Sequence, residues 1–407
     1  MPFSAARPRT IAKIIGPGTD NLSLGLELDL TPNYLLYAKP YCDNRVIKDH
    51  IGFARLPESC DRSYPGDIQM TKINPGLRSP SERIITFQVD ESQGLMAVLT
   101  IQESTDQVKV RYLTFETNSR RHPLSIVSKS IIPFQGRLYS YQLQIYGELV
   151  GVLLSGKNMS CLHIIGWVNG TLYGHLAQNS SAGAMSSFSF LTRNKILTTN
   201  TSSSCIDFWY FHPGVLQATA TITMPSTAPG VAVESFICTP LTGEQLKMWQ
   251  GWNNLFVTFA LTMLIDEDAY TVVNFVLQKE RLDQLSNYGP LAWCQWGGER
   301  VACFDETDAK DNCNLAGSRH ISIGLSHALG KPNTITIHEF NPPSNSIQAF
   351  HVSVDGVSPF TEQLIQNLNS YMIYQGQLHC DRALVPDSRI FAIHDSPNNT
   401  IIILYHL

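Results

Sequence analysis

Short apolar runs recur in pairs along this chain, each pair broken by a few polar or turn residues. "GLMAVLTI" (94–101) is followed by "VKVRYLTF" (108–115), and "ELVGVLLS" (148–155) by "CLHIIGW" (161–167). "KILTTN" (195–200) is followed by "CIDFWYF" (205–211), and "NLFVTFALTML" (254–264) by "YTVVNFVL" (270–277). "RVACFDE" (300–306) precedes "HISIGLS" (320–326), "TITIHEF" (334–340) precedes "SIQAFHVS" (346–353), and "RIFAIHD" (389–395) precedes "IIILYHL" (401–407). Runs of this length, rich in β-branched and aromatic residues, predict strands joined as hairpins. The first members begin roughly 45 to 60 residues apart, with one gap of about two units that holds the 334–353 pair. A loose repeat of this size, with two to four strands per unit, predicts propeller blades.

The polarity of the runs supports the same architecture. In "ELVGVLLS", Val150, Val152 and Leu154 face one way in a strand, and Leu149, Gly151 and Leu153 face the other. Both faces are apolar or small, which suits a strand covered on both sides by neighbouring sheets. "SGKN" (155–158) is expected to turn the chain with Gly and Asn, and "GWVNGTL" to close a third strand with Gly170 in the exit turn. One short helix is expected within "PFTEQLIQNLNSYM" (359–372), capped at Thr361. Residues 1–30 and 61–83 are rich in Pro, Gly and Ser and are expected to be partly irregular. The fold expected is all-β: an irregular WD40-like β-propeller of six or seven blades, residues 1–407 in a single domain. Ring closure is expected through "LSLGLELDL" (22–30) pairing with the C-terminal blade.

Composition sharpens this picture modestly. Of 407 residues, 43% are hydrophobic and 15% charged, below the roughly 25% charged that is usual. The net charge of −5 leaves no basic excess to neutralise phosphates, so no nucleic-acid partner is expected. The densest basic spot, "NSRRHP" (118–123), reads as a solvated turn. Nine cysteines are scattered singly without a CxxC pair, which predicts reduced, mostly buried thiols. The N-terminus lacks the apolar core of an export signal, and the longest apolar stretch, 255–265, is too short to span a bilayer. A cytoplasmic or nuclear protein without membrane contact is expected, its six Asn-x-Ser/Thr sequons being chance products of turn-rich sequence.

Candidate chemistry is sparse. Asp305, Asp308 and Asp311 stand at i, i+3 and i+6, whereas a calcium loop wants i, i+2 and i+4 with a turn Gly. Cys294, Cys303, Cys313 and His320 are zinc-competent residue types, but their spacing forms no two close pairs. No G-x-S-x-G elbow and no glycine-rich phosphate loop occurs. A glycosidase would need two carboxylates across one sugar; Asp90, Asp207, Glu234, Asp305 and Glu339 lie near strand ends. Trp249, Trp252, Trp293 and Trp296 read as blade packing beside strand starts, with a sugar or peptide platform as the other use. No catalytic, cofactor or metal residue is therefore assigned.

"VDESQGLMAVL" (89–99), "YQLQIYGELVGVLL" (141–154), "IIGWVNGTLYGHL" (164–176), "SFSFLTRNKILTTN" (187–200), "LAWCQWGGERVACFDE" (291–306) and "IHEFNPP" (337–343) follow one another in order. Together they resemble the C-terminal WD40-like propeller of the F-box domain-containing proteins of mushroom-type (basidiomycete) fungi, over roughly 85–400. The resemblance implies a non-enzymatic adaptor whose propeller receives a substrate for a ubiquitin ligase. A Skp-type adaptor and a cullin would be its partners where an F-box is present. "GWVNG" lacks the Asp of a Trp-Asp repeat, and residues 1–50 show no Leu-Pro start or Leu/Ile-periodic helical stretch of an F-box. The alternative function is a carbohydrate-binding propeller or glycosidase.

Overall fold

The structure, a computed structural model, describes residues 9–15, 27–30, 34–38, 51–55, 67–68, 71–73, 77, 82–102, 105–115, 121–157, 159–179, 184–239, 256–266, 269–297, 301–305, 314–316, 319–324, 333–340, 348–350, 358–362, 364–366, 370–378, 382–384, 389–395 and 400–406. Among the described residues the strands form seven sheets in chain order, plus one separate two-stranded hairpin. Their strands are lettered a to d, in chain order within each sheet. Sheet 1 holds Glu27–Leu30, Tyr34–Ala38, Ile51–Arg55 and Thr71–Ile73. Sheet 2 holds Glu82–Asp90, Leu95–Gln102, Gln107–Thr114 and Lys129–Ile132. Sheet 3 holds Leu138–Tyr146, Leu149–Gly156, Met159–Gly166 and Leu172–Asn179. Sheet 4 holds Met185–Thr192, Lys195–Asn200, Cys205–His212 and Val215–Thr223. Sheet 5 holds Ala232–Cys238, Phe256–Asp266, Ala269–Gln278 and Val301–Asp305. Sheet 6 holds Asn314–Ala316, Arg319–Gly324, Asn333–Phe340 and Ser370–Leu378.

Sheet 7 takes Arg382–Leu384, Arg389–Asp395 and Thr400–His406 from the C-terminus, and its fourth strand, Arg9–Ile15, from the other end of the chain. Arg9–Ile15 runs antiparallel to Thr400–His406, from Arg9 opposite His406 to Ile15 opposite Ile401. Asp67–Ile68, from within the sheet 1 segment, adds to the far side of Arg9–Ile15 in parallel. Consecutive sheets touch, strand a of each of sheets 1 to 4 lying against strand a of the next. This is an all-β, WD40-like propeller, with seven blades among the described residues. The closing strand is Arg9–Ile15, not 22–30; Glu27–Leu30 instead opens sheet 1.

The two-faced apolar pattern explains why the sheets stack. Strand 3b is buried almost throughout. Its Val150, Val152 and Leu154 join a core with Val108, Val110 and Tyr112 of sheet 2, and its Leu149 and Leu153 join Phe188, Phe190 and Ile196 of sheet 4. Gly151 shares the second face, and a Cβ built there would stand 2.5 Å from Phe188 Cε2. Its lack of a side chain is what admits the two Phe rings. Polar side chains also cross between inner strands. The Gln142 amide donates to Phe188 O (2.9 Å) and accepts from Phe188 N–H (2.8 Å), and Gln144 Oε1 accepts from Phe190 N–H (3.1 Å). Between sheets 4 and 5, Ser187 Oγ accepts from Cys238 N–H (2.7 Å) and Thr199 Oγ1 donates to Phe236 O (2.7 Å). These bonds let otherwise unpaired backbone groups at the seams be satisfied.

Two insertions explain the irregular repeat. Between 5c and 5d the chain forms helices α1 (Lys279–Leu285) and α2 (Trp293–Trp296). Between 6c and 6d it forms the hairpin Gln348–Phe350 with Leu364–Gln366. The run 300–306 is therefore the outer strand of sheet 5, and 320–326 contributes to sheet 6, so the two do not make one hairpin. The 334–340 run likewise pairs with Arg319–Gly324 and Ser370–Leu378 rather than with 346–353. The helix expected at 359–372 is absent from its described residues: Phe360 bridges to Thr227, and strands occupy Leu364–Gln366 and Ser370–Leu378. Apolar pairing partners supplied by distant strands outweigh the local helical pattern. Residues 1–30 and 61–83, expected to be partly irregular, contribute strands at Arg9–Ile15, Glu27–Leu30, Asp67–Ile68 and Thr71–Ile73. Gly156 ends strand 3b without a positive φ, while Gly170 does turn the chain with φ 75°.

Gly151→Ala is expected to destabilise the protein by about 1–3 kcal/mol through overpacking against Phe188. Gly289→Ala, where nothing lies within 4 Å of the added carbon, is expected to stay within about 0.5 kcal/mol. Urea unfolding of the two variants checks the contrast.

Candidate functional site

The segment Arg121–Ser128 connects 2c to 2d and lies against the c–d turn of sheet 3. Its sequence, "RHPLSIVS", mixes groups that bond inward with groups that have no inward partner. His122 is buried; its N–H donates to Tyr112 O (3.1 Å), and its Nε2 lies 3.0 Å from Gln93 O. The His122 ring stands edge-on to Trp167, centroids 4.8 Å apart. Trp167 Nε1–H donates to Gly147 O (2.9 Å), an oxygen that also accepts from Gln93 Nε2–H (2.9 Å). Ser125 Oγ donates to Trp167 O (2.7 Å), and Ile126 N–H donates to Val168 O (2.7 Å). Val127 packs into the sheet 2–sheet 3 core, close under Gly170. This junction is tied together by Trp167, His122, Gln93 and Ser125.

Two side chains on this fixed segment point to water. Leu124 is 64% exposed and Ile126 72%. Single exposed apolar residues are ordinary. Here, however, two of them are held by a hydrogen-bonded loop, so presenting them costs little further ordering on binding. Leu172, Val215 and Tyr288 are also exposed, at the c–d ends of sheets 3, 4 and 5. The same end of four consecutive blades thus carries exposed apolar side chains. A second exposed run, Gln135–Arg137 with Tyr139 and Tyr141, lies at the other end, where the chain enters sheet 3. The basic spot read as a solvated turn therefore hides a buried histidine. The Leu124/Ile126 pair was missed because an exposed loop leucine looks the same in sequence as a buried one; Pro123 was the available sign that the apolar residues after it lie in a loop.

The carboxylates proposed for sugar chemistry serve separate structural ends. Asp90 is buried at the end of 2a and accepts from Ser92 Oγ and Gln93 Nε2. Asp207, two sheets away on 4c, accepts from Thr221 Oγ1 (2.7 Å). Glu234 is exposed on 5a. The side chains of Asp305 and Glu339 lie outside the described residues, as do Asp308, Asp311, Cys313, Trp249, Trp252 and the side chain of His320. Trp293 and Trp296 do pack, but within α2 and not beside a strand start. Both are buried with centroids 4.9 Å apart, and Trp296 Nε1–H donates to Thr223 O (3.0 Å) on sheet 4. Cys294 is exposed on α2, whereas Cys303 is buried in the core of sheets 4 and 5. Among the described residues no group of three or more His, Cys, Asp or Glu could hold a metal ion, and no helix is long and apolar enough to cross a membrane.

Glu82 is a buried carboxylate held by Arg111 through two bonds of 2.6 and 3.1 Å and by Thr100 Oγ1 (2.9 Å). Burial alone would raise its pKa, but the Arg111 and Thr100 bonds and the positive charges of Arg111 and Lys109 outweigh it, and the carboxyl sits below its ordinary value. This pair spans strands 2a and 2c.

Neither a protein-family model nor the sequence of a curated protein matches this chain. Among solved structures, the WD40 domain of Toxoplasma gondii coronin is similar over 99% of this chain and 88% of that one, at 9% identity and TM-score 0.48. Hsv2 from Kluyvelomyces marxianus is similar over 96% of this chain and 99% of that one, at 9% identity and TM-score 0.43. The AfRom2 CNH domain is similar over 98% of both chains, at 10% identity and TM-score 0.41. The fold assignment rests on the sheet order described above, and no function is drawn from these likenesses.

Arg111→Met is expected to cost about 3 kcal/mol at pH 7, because it leaves the Glu82 charge buried without its cation. The cost shrinks as pH falls through the carboxylate range, since the stabilisation of a depressed carboxyl is present above its unfolded value and lost below. Denaturant unfolding at pH 7 and pH 3.5 reads both the size and the sign.

Proposed function

We propose that this chain is a non-enzymatic protein-interaction propeller that engages its partner through the c–d end of sheets 2 and 3. The observation that carries the reading is the fixed Arg121–Ser128 segment, whose backbone and polar groups bond inward while Leu124 and Ile126 are turned to solvent. Apolar anchors on a rigid support are the economical form of a binding hot spot. Loops set on a stiff ring can vary in sequence without disturbing the sheets below. Two of the carboxylates considered for a glycosidase, Asp90 and Asp207, are already engaged within separate sheets, which favours the interaction role over sugar hydrolysis.

Within that reading, the resemblance to mushroom F-box proteins supports a finer one, a substrate receptor of a ubiquitin ligase. The motifs alone support it. A Skp-type adaptor and a cullin are then the partners to look for, bound through an F-box or an equivalent docking element.

Affinity capture of the tagged chain, with Leu124→Asp and Ile126→Asp combined in a second sample, tests both levels. Charging two exposed residues leaves the fold intact, as circular dichroism checks. The proteins enriched by the unaltered chain are expected to fall at least tenfold with the variant. Equal enrichment by both would remove this surface from the account. Adaptor and cullin in the captured set support the receptor role, and their absence with other proteins enriched leaves a propeller scaffold outside a ligase.

A further inference from the structure

Two histidines face each other across strands 3c and 3d. His163 is directly opposed to His175 in register, with ring centroids 4.5 Å apart and planes 30° apart. His175 is exposed, whereas His163 is only 3% exposed. His163 lies on the same side of 3c as Cys161 and Ile165, which pack into the seam between sheets 2 and 3. The carbonyl of Pro133, in the stretch that leads from 2d into 3a, lies near enough to act on its ring. The Cys161 thiol reaches the same carbonyl at 3.9 Å. The ring Nε2 is buried with no hydrogen-bond partner.

The surroundings offer nothing for a second proton. Val152 stands opposite on 3b, and Val108, Val110 and Ile132 line the sheet 2 side of the seam. The titratable groups there are the Cys161 thiol, which burial pushes up to about 11, and the Tyr112 phenol, which burial pushes up to about 12 while it bonds Ser130. Both are neutral at ordinary pH. The one charge that acts on His163 is that of His175, which has the same sign as a protonated His163. No carboxylate among the described residues offsets it. A proton on Nε2 would be a buried donor without an acceptor and a cation beside a second imidazole, both of which are costly.

We propose that His163 is an acid-sensitive latch, whose protonation opens the seam between sheets 2 and 3. Opening would reorganise the surface at the entry to sheet 3, where Arg137, Tyr139 and Tyr141 are exposed. The sign follows from linkage. Burial, and then the neighbouring His175, outweigh the upward pull of the Pro133 carbonyl and hold the closed-state His163 down at about 4 against an ordinary 6.5. The open state therefore gains protons first. Its population rises as pH falls below 6.5 and levels off near 4, by a factor on the order of fifty to a hundred at pH 4.5 relative to pH 7.

Cys161 reports the seam, and Cys238 and Cys303, buried in the core of sheets 4 and 5, report general unfolding. The intact chain is labelled at pH 7 and 4.5 with a dipyridyl disulfide, which reacts with thiols in acid. Each cysteine is read by peptide mass spectrometry and corrected for the rate of a free thiol at the same pH. Labelling of Cys161 is expected to rise tens-fold relative to Cys238 and Cys303. His163→Gln keeps a polar side chain there and cannot titrate, so its Cys161 labelling is expected to stay flat. His175→Gln, at an exposed site, is expected to give a smaller rise, because it removes the opposing charge. Cys161 remaining as protected as the two controls, all three rising together, or His163→Gln rising like the unaltered chain would each overturn the latch.

Discussion

The pairing of Arg9–Ile15 with Thr400–His406 is the contact on which the rest of the architecture depends. Inner strands such as 3b are apolar on both faces, so their sheets need a neighbour on either side. An open row of seven such sheets would leave two large apolar faces in water, at roughly 25 cal/mol per Å². Joining the two ends of the chain in sheet 7 turns the row into a ring and removes the exposed ends. The parallel addition of Asp67–Ile68 then ties sheet 7 back to the segment that builds sheet 1. The closure involves residues almost four hundred positions apart, so its entropic cost is met late, after the intervening sheets exist to reward it.

Within the ring, polar side chains tie neighbouring sheets together. Gln142 and Gln144 reach from sheet 3 to the inner strand of sheet 4 and pair with its backbone as a strand neighbour would. Ser187 and Thr199 do the same between sheets 4 and 5. Sheets 4 and 5 gain a further tie from the inserted α1 and α2. Lys195 Nζ on sheet 4 donates to Asp283, Ser286 and Asn287, and Leu291 exchanges backbone bonds with Thr221 and Thr223. Phe360 and Leu364, from the sheet 6 insertion, bury their side chains in the same core. Irregular length between strands thus becomes extra contact between blades, and the loops at the other seams remain available to face a partner.

Much of this was legible in the sequence because strand patterning is local. The alternation of 149–154 named both faces of 3b correctly, and each face meets the neighbouring sheet it implied. Sheet membership was not local. "RTIAKII" and "LSLGLELDL" carry equally strand-like patterns, and only the partner strand decides which one closes the ring. The runs at 300 and 320 were joined because a simple repeat has no place for the helical insertion before the first of them. The surface was harder still. Leu124 and Ile126 have the same chemistry as core residues, and their exposure follows from bonds made by His122, Ser125 and the Val168 carbonyl. His163 illustrates the converse, since a histidine in the middle of an apolar run shows neither its burial nor its unpartnered nitrogen until the neighbouring strand is in place.

The most direct test of this account is hydrogen exchange at Thr400–His406 in the full chain and in a chain lacking residues 1–16, with thermal unfolding followed in parallel. Closure by Arg9–Ile15 predicts that the shortened chain loses protection along Thr400–His406, together with a drop in melting temperature or loss of a single cooperative transition. Unchanged protection and an unchanged melting temperature would contradict ring closure by the terminal strands.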